Sequence, residues 1–323
     1  MTHYACNAHF QTCAIVENRQ IADETFRVRI ASPEIAAETL PGQFVMLRIH
    51  GCNDPLIGRA FAMYDRYGDS CGDTFVDAEK QWKGIDLIYL VKGNFTQALS
   101  RLGEKDLVDM NGPLGNTFSV APVDHLVMAV GGVGQTPMLA VGREALGSQT
   151  FGNQKIFEDN KSDDKKVLRR HGYAKKVTLL YGARTAGRLA GVQDFRDAGF
   201  DVRLATDDGS MGPPQQVTDL LRDLLNGLPD GLPDGLPDGL PDDAAPEESI
   251  RIVSCGPEPM MAAVSAIAEE KNIFCEVSLE TPMACGIGIC FTCVAKIRQT
   301  DGQWDYQRTC VEGPIFDAAK LVW

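Results

Sequence analysis

Four cysteines near the end of the chain stand at a spacing that can hold an iron–sulfur cluster. Cys285, Cys290 and Cys293 follow the pattern C-x4-C-x2-C, and Cys310 comes after sixteen further residues. Plant-type ferredoxins hold a [2Fe–2S] cluster with four thiolates in this order. The two glycines between the first two cysteines suit a loop that must bend sharply and bring backbone N–H groups close to inorganic sulfide. The spacing therefore predicts a [2Fe–2S] cluster ligated by these four thiolates.

Three other interpretations of the cysteines are a zinc site, a disulfide pair and buried thiols without a function. Zinc sites usually present two separated C-x2-C pairs, whereas only Cys290 and Cys293 form one here. Disulfides require an oxidising compartment, and the first residues lack the basic, apolar and small-residue segments of a signal peptide, so we expect a cytoplasmic protein. The six remaining cysteines show no ligand spacing and are expected to be ordinary thiols: Cys6, Cys13, Cys52, Cys71, Cys255 and Cys275.

The composition excludes some classes of function. A chain of 323 residues is long for one core, so two or three domains are expected. With 44% hydrophobic residues it can bury substantial cores, yet no apolar run approaches the roughly 18 residues needed to span a bilayer, so no membrane role is expected. A formal net charge of −13 argues against nucleic acid as a partner, because phosphate-backbone binding needs clustered Lys and Arg.

The first part of the chain has the pattern of an antiparallel barrel. Strands with alternating or apolar patterns are predicted at residues 13–17, 25–30, 42–49 and 84–92. Short strands at such close intervals favour a small β-barrel domain, which we expect to span residues 8–120. After the last of these strands, Thr96 is expected to cap a short helix that runs to Leu102 and whose first N–H groups suit a pyrophosphate.

The second part alternates strands and helices. An apolar strand runs into a glycine-rich turn at residues 131–134, and a helix is predicted to begin near Thr136 and Pro137. This alternation predicts a parallel α/β sheet over residues 121–274 that binds ligands beyond its strand ends. Its later strands are predicted at residues 177–181, 201–205 and 250–254, and its last helix at residues 260–271.

Two insertions are predicted in this α/β domain, near residues 148–175 and 227–248. The second contains four copies of Gly-Leu-Pro-Asp. Proline at every fourth residue forbids a regular helix or a central strand, so this tract is expected to be a surface insertion without a function of its own. The remaining residues, 275–323, are predicted to form a compact β-rich cap around the cysteines.

Several motifs occur along the chain in an order known from one protein family. They are Pro41-Gly-Gln-Phe, Arg59-x-Phe61, Asn111-Gly-Pro-Leu-Gly-Asn, Gly131-Gly-Val-Gly, Thr206-Asp-Asp-Gly-Ser, Cys255-Gly-Pro-Glu-Pro-Met and the C-terminal cysteine run. This order resembles the ferredoxin–NADP reductase superfamily, and within it the electron-transfer subunits of NAD-dependent, class 1B dihydroorotate dehydrogenases. The resemblance covers nearly the whole chain outside its first residues and the two insertions. It implies a multi-domain protein with an antiparallel FAD-binding β-barrel, a parallel α/β NAD-binding domain and a small [2Fe–2S] cap.

Residue by residue, the resemblance implies three cofactor sites, of which the cluster site is the set of four cysteines given above. It places FAD at Arg59, Ala60, Phe61, Ala62, Ile88, Tyr89, Leu90, Gly93, Phe95 and Thr96. It places NAD at Gly131, Gly132, Val133, Gly134, Thr136, Pro137, Cys255, Gly256 and Pro257. NADP is the alternative nucleotide, because Arg184 and Arg188 follow a predicted strand near where a 2′-phosphate could bind. The loop from Thr206 to Ser210 receives no role.

Three residues depart from the family pattern. Ala62 replaces a serine whose hydroxyl lies near the flavin N5, Leu90 stands where an arginine often faces the pyrophosphate, and Phe95 replaces a glycine of the phosphate turn. Lys92 could supply the missing positive charge. The departures bear on how the flavin is bound.

The resemblance implies an oxidoreductase component of pyrimidine biosynthesis. In the resembling enzymes, a separate FMN-containing catalytic subunit oxidises dihydroorotate, and its electrons pass singly through the cluster to FAD and then as hydride to NAD+. A heterotetramer with that subunit is implied, and no catalytic residue is assigned to this chain. Two alternatives stay open: an NAD(P)H-dependent reductase subunit that serves another redox enzyme, and a non-catalytic redox sensor that kept the fold.

Overall fold

The computed structural model describes residues 7–68, 82–149, 151, 172–227 and 249–323. These residues form a closed barrel, a six-stranded sheet and a two-stranded hairpin. The Gly-Leu-Pro-Asp repeats beyond Gly227 and most of the first predicted insertion lie outside the described residues. No helix among the described residues is long and apolar enough to cross a membrane.

The barrel predicted for the first part of the chain is confirmed. Its strands are β1 (His9–Ala22), β2 (Thr25–Ala31), β3 (Phe44–Ile49), β4 (Arg59–Gly68), β5 (Trp82–Leu90) and β6 (Leu107–Leu114), and they close in the order β1-β2-β5-β4-β3-β6. Alternate side chains such as Val28 and Ile30 point into a fully buried core, as expected for strands with one face inside a barrel. Two short helices, α1 (Pro33–Glu38) and α2 (Asn94–Leu99), lie in its connections.

The second part forms the predicted sheet, with helices on both faces. Its strands, in spatial order, are β14 (Ile315–Asp317), β11 (Phe274–Ser278), β10 (Ile250–Cys255), β7 (Val123–Gly131), β8 (Ala174–Ala183) and β9 (Asp201–Thr206). All of them except β14 run parallel to one another. Its helices are α3 (Met138–Ala145), α4 (Val192–Asp197), α5 (Val217–Asn226) and α6 (Glu258–Glu270). Central strand β7 is apolar from Leu126 to Val130, and Val127 packs into the core on one face while Met128 packs into the core on the other.

The cysteine segment is fixed to this sheet at both ends. It leaves β11, forms the hairpin of β12 (Val294–Arg298) and β13 (Trp304–Arg308), and returns through β14 (Ile315–Asp317), which pairs antiparallel with β11. The cysteines therefore lie on a loop whose entry and exit are both sheet strands. The domain limits given above stay a prediction.

Glycine is required at position 84, where β5 pairs with the end of β2. A Cβ atom on Gly84 would lie 1.9 Å from the carbonyl oxygen of Ile30, which is backbone and cannot move aside cheaply. We expect Gly84→Ala to lower the free energy of unfolding by about 2 kcal/mol or more, as overpacking against a fixed neighbour does. Gly103→Ala is the matched control, since nothing lies within 4 Å of a Cβ atom there. Thermal unfolding followed by circular dichroism checks this, and equal losses in both variants would contradict it.

Candidate functional site

The four cysteines form two pairs at different depths. Cys293 and Cys310 are buried, Cys285 is half-buried and Cys290 is exposed. The Cys290 thiol interacts with Cys285, and the Cys310 thiol interacts with Cys293. A [2Fe–2S] cluster takes two thiolates on each iron, so this pairing fits a binuclear cluster. Among the residues that the structure describes, no group of three or more His, Cys, Asp or Glu side chains is placed to bind one metal ion.

The two pairs also differ in electrostatic surroundings. Hydrogen bonds from Thr292 lower the pKa of the exposed Cys290 thiol to about 6. Burial, together with the neighbouring Cys293, raises the pKa of the Cys310 thiol to about 12. One pair therefore faces the outside and the other faces the protein interior.

The cysteine loop rests on the barrel. Cys293 and Cys310 share a small apolar cluster with Phe44, Met46, Leu114 and Met283. Gly286 has a positive φ of 71°, and a Cβ atom there would lie 2.4 Å from the side chain of Met46. The loop thus needs glycine both for its left-handed turn and for its close approach to β3.

Apolar side chains surround the exposed cysteine. Ile289 is 74% exposed and Phe291 is 64% exposed, and Phe291 adopts a left-handed conformation with a φ of 55°. The Arg308 guanidinium lies 5.2 Å from the centre of the Phe291 ring, donates to the Gly288 carbonyl at 3.0 Å and pairs with Glu312. Residues 287–291 and this arginine form what we call the cluster rim.

The predicted flavin loop, residues 59–62, lies on β4. This strand pairs with β3, which supports the cysteine loop. Phe44 of β3 pairs with Ala62 of β4, and Met46 pairs with Ala60. Met46 therefore touches the cysteine loop with its side chain while its backbone borders the predicted flavin loop. Arg59, at the start of β4, is exposed, and its guanidinium donates to the carbonyls of Ile57 and Gly58.

Three of the predicted flavin residues place their side chains in a core. Tyr89 and Phe95 lie in the barrel core, 1% and 2% exposed, with the half-buried Phe61 ring 6.0 Å from Tyr89 and 5.9 Å from Phe95. Ile88 is 2% exposed and packs with the core beneath β7 and β8. At these three positions only the backbone is left to face a ligand. The half-buried Leu90, which closes β5, is less enclosed.

The start of α2 differs from its prediction. Gly93, which is exposed, holds the N-cap position, and Thr96 lies three residues into the helix. The Thr96 hydroxyl accepts hydrogen bonds from the N–H groups of Lys92 and Gly93 at 2.9 and 3.1 Å. Thr96 therefore closes the turn from inside the helix, because glycine has no side chain that could cap it.

The two predicted nicotinamide segments meet at the carboxyl ends of β7 and β10. Cys255 pairs with Val130, and a Cβ atom on Gly134 would lie 2.3 Å from the Cys255 carbonyl oxygen. A Cβ atom on Gly131 would lie 2.9 Å from Pro257. The strand order reverses between β7 and β10, and ligands of open α/β sheets bind at such a point. The remaining predicted residues of these segments lie in the same place: Gly132, Val133, Thr136, Pro137 and Gly256, with Thr136 and Pro137 buried.

The glycine turn and the helix after it have the predicted order. Gly132–Gln135 form a 3₁₀ turn, and α3 begins at Met138 with Pro137 at its N-cap, next to the predicted start near Thr136 and Pro137. Gln135, which the motif comparison passed over, is fully buried, and neither its amide nitrogen nor its amide oxygen has a hydrogen-bond partner among the described residues. The only sequence signal was a polar residue inside an otherwise apolar and glycine-rich run.

Of the two arginines that follow β8, one is paired with a glutamate of the barrel domain. Arg188 forms an ion pair with Glu24, which lies between β1 and β2 of the barrel. Arg184 is exposed at the end of β8. The unassigned loop after β9 lies beside it, because Asp208 donates its backbone N–H to the Arg184 carbonyl and Ser210 accepts a hydrogen bond from the Ala186 N–H. Within the described part of the chain, this end of the sheet therefore has Arg184 beside two aspartates, Asp207 and Asp208.

The barrel, the parallel sheet and the glycine turn between them define a ferredoxin–NADP reductase-type fold. A solved NADH-dependent reduced ferredoxin–NADP oxidoreductase matches with a TM-score of 0.69 and 23% identity, over 96% of this chain and 90% of the other. Residues 280–322 match the family described as the iron-sulfur cluster binding domain of dihydroorotate dehydrogenase B.

Curated relatives identify the family. The dihydroorotate dehydrogenase B (NAD(+)) electron transfer subunit of Listeria monocytogenes serotype 4a (strain HCC23) is 31% identical, over 95% of this chain and 96% of the relative. The corresponding subunit of Desulforamulus reducens is 28% identical over 94% of each. The chain belongs to the family of dihydroorotate dehydrogenase B (NAD+) electron transfer subunits.

The buried amide of Gln135 yields a test of stability. A buried polar group without a partner costs about 1–3 kcal/mol, so Gln135→Leu should raise the melting temperature of the cofactor-free chain. Ser32→Ala is the comparison variant, because Ser32 Oγ is likewise buried without a partner among the described residues and lies between β2 and α1. Differential scanning calorimetry measures both. A lower melting temperature for Gln135→Leu would show that a buried water or a bound group holds the amide.

Proposed function

We propose that the chain carries electrons from an FMN-containing dihydroorotate dehydrogenase subunit, through a [2Fe–2S] cluster and FAD, to NAD+ in cytoplasmic pyrimidine biosynthesis. The observation that carries the proposal is the double contact of Met46, which supports the cysteine loop and pairs with the predicted flavin loop. Family membership supports the same assignment. Flavin is the cofactor able to exchange one electron with a cluster and two with a nicotinamide.

The chain's own residues supply binding and orientation. Cys285, Cys290, Cys293 and Cys310 would hold the cluster, with the inner pair fixed by the barrel and the outer pair facing out. The backbone of Gly93 and the first turn of α2 would receive the flavin pyrophosphate. The glycine turn and Cys255–Pro257 would receive the nicotinamide nucleotide, because they lie together at the carboxyl ends of β7 and β10, where the strand order reverses.

We favour NAD over NADP. A 2′-phosphate needs paired or clustered cations, and the ion pair with Glu24 removes Arg188 from that role. Arg184 lies beside the loop that carries Asp207 and Asp208, and the negative charge of these two residues opposes the binding of a 2′-phosphate. The preference rests on these two arrangements together.

The cluster rim is the proposed face for the catalytic subunit. Exposed isoleucine and phenylalanine side chains around a solvent-facing cysteine suit a partner that must approach the cluster closely. Phe291 is the proposed anchor, since aromatic residues dominate the energetics of many interfaces. Dihydroorotate itself receives no site on this chain in the proposal.

The ligand set is tested by spectroscopy. Cys310→Ser should remove the visible absorption and the electron paramagnetic resonance signal of the cluster in the anaerobically purified protein, because each thiolate is one of four. FAD content should stay unchanged. Cys52→Ser is the control, since Cys52 lies in the loop between β3 and β4 and is not among the proposed ligands. Normal iron and sulfide content in Cys310→Ser would refute the assignment.

The partner face is tested by binding. The wild-type chain mixed with the FMN-containing dihydroorotate dehydrogenase subunit of the same cell should form a complex that reduces NAD+ with dihydroorotate. Phe291→Ala should weaken that complex about tenfold or more, measured by calorimetry. Phe274→Ala is the matched control, because Phe274 is 48% exposed at the other end of β11.

The wild-type protein also separates the alternatives. A chain that reduces dyes with NADH but does not bind this subunit would be a reductase for another enzyme. A chain that binds neither FAD nor NADH would be a redox sensor or a binding module.

A further inference from the structure

Strand β4 carries one extra residue directly after the predicted flavin loop. Met63 pairs with Leu87 and Asp65 pairs with Asp86, so the residue between them, Tyr64, has no separate partner on β5. This is a β-bulge, which bends a strand and re-aims side chains, and bulges are frequent beside active sites. The bulge begins one residue beyond Ala62.

The bulge turns two consecutive side chains towards the helices of the parallel α/β sheet. Strict alternation would send Tyr64 and Asp65 to opposite faces of β4. Instead the Tyr64 hydroxyl donates to the Asp194 carboxylate of α4 at 2.7 Å, and Asp65 forms an ion pair with Arg143 of α3. Met63, just before the bulge, stays in the barrel core.

The Tyr64 side chain packs in the core of the parallel α/β sheet. It is 1% exposed and belongs to the apolar cluster beneath β7 and β8 instead of the barrel core. Its ring meets Phe195 edge-on with 6.2 Å between ring centres. Gly191 has a φ of 69°, and a Cβ atom there would lie 2.7 Å from the Tyr64 hydroxyl, so the start of α4 is shaped around this phenol.

A short chain of contacts links this phenol to the nicotinamide turn. The N–H of Ala190, just before α4, donates to the Tyr181 hydroxyl at 3.1 Å. Tyr181 lies on β8 and pairs with Val130 of β7, one residue before Gly131. The turn that is proposed to hold the nicotinamide is therefore connected to β4 through α4 and β8.

We propose that Tyr64 is a positioning residue for hydride transfer: through Asp194 it fixes the nicotinamide turn relative to the flavin segment of β4. This inference rests on the proposed function, because it presumes that FAD and NAD(H) occupy those two places. Displacements of about 1 Å between reacting groups can cost a hundredfold in rate, so a bond that sets this spacing acts on the chemical step without touching either cofactor.

The experiment follows flavin reduction in the complete, cofactor-loaded chain. Tyr64→Phe keeps the ring and its packing but removes the hydroxyl. We expect the rate of flavin bleaching at saturating NADH, measured by anaerobic stopped flow, to fall about tenfold or more, with the NADH dissociation constant, FAD content and cluster spectrum unchanged. Asp194→Ala should have the same effect and keeps the tyrosine, whereas Asp194→Asn retains an oxygen acceptor and should restore the wild-type rate.

A matched control and three outcomes separate the explanations. Tyr67→Phe changes another tyrosine of β4, whose ring lies over Arg29 within the barrel, and should leave the rate unchanged. Wild-type rates in Tyr64→Phe and Asp194→Ala would overturn the inference, and so would a lower melting temperature without a change in rate, which is a purely structural effect. A wild-type chain that NADH cannot reduce would overturn the proposed function and this inference with it, whereas slow variants of an active chain support both.

Discussion

The contact between the cysteine loop and strand β3 is the constraint on which the rest of the proposed electron path depends. A one-electron donor and its acceptor must lie close together, and the loop is too short to fold into a separate ferredoxin-like core. Cys293 and Cys310 are therefore buried against Met46 and Leu114 of the barrel. Asn116, just after β6, donates from its side chain to the carbonyls of Glu312 and Ile315, which fixes the exit of the loop to the same barrel.

This anchoring gives the cysteine loop an inside and an outside. The inner pair of cysteines is held by packing against β3 and β6, while Cys290 and its apolar neighbours remain free on the surface. Arg308 joins the two sides, because it is paired with Glu312 near the inner pair and lies against Phe291 at the rim. A buried inner pair and an accessible outer pair suit the proposed relay between a flavin and a separate protein.

The sequence predicted the architecture well because its signals are local. The apolar run into Gly131, the spacing of the cysteines and the short barrel strands each depend on neighbouring residues, and the structure has each of these elements. The bulge at Tyr64 could not be predicted, since a register shift depends on how β4 pairs with β5 and not on the sequence of either strand alone. The unpaired amide of Gln135 could not be predicted for a related reason. Burial and missing partners are properties of the packed turn and leave no pattern in the sequence.

The departures from the family pattern acquire a physical meaning in the barrel. Phe95 stands where the family has glycine, which on sequence alone suggests a blocked phosphate turn. In the structure its ring is 2% exposed in the barrel core, 5.9 Å from the Phe61 ring, so the turn itself keeps only backbone at that position. The positive charge that Leu90 cannot supply is available from Lys92, which is exposed beside the same turn and whose N–H is already held by Thr96. The redox-sensor alternative rested on Ala62, Leu90 and Phe95 together, and the inward ring of Phe95 weakens one of these three supports.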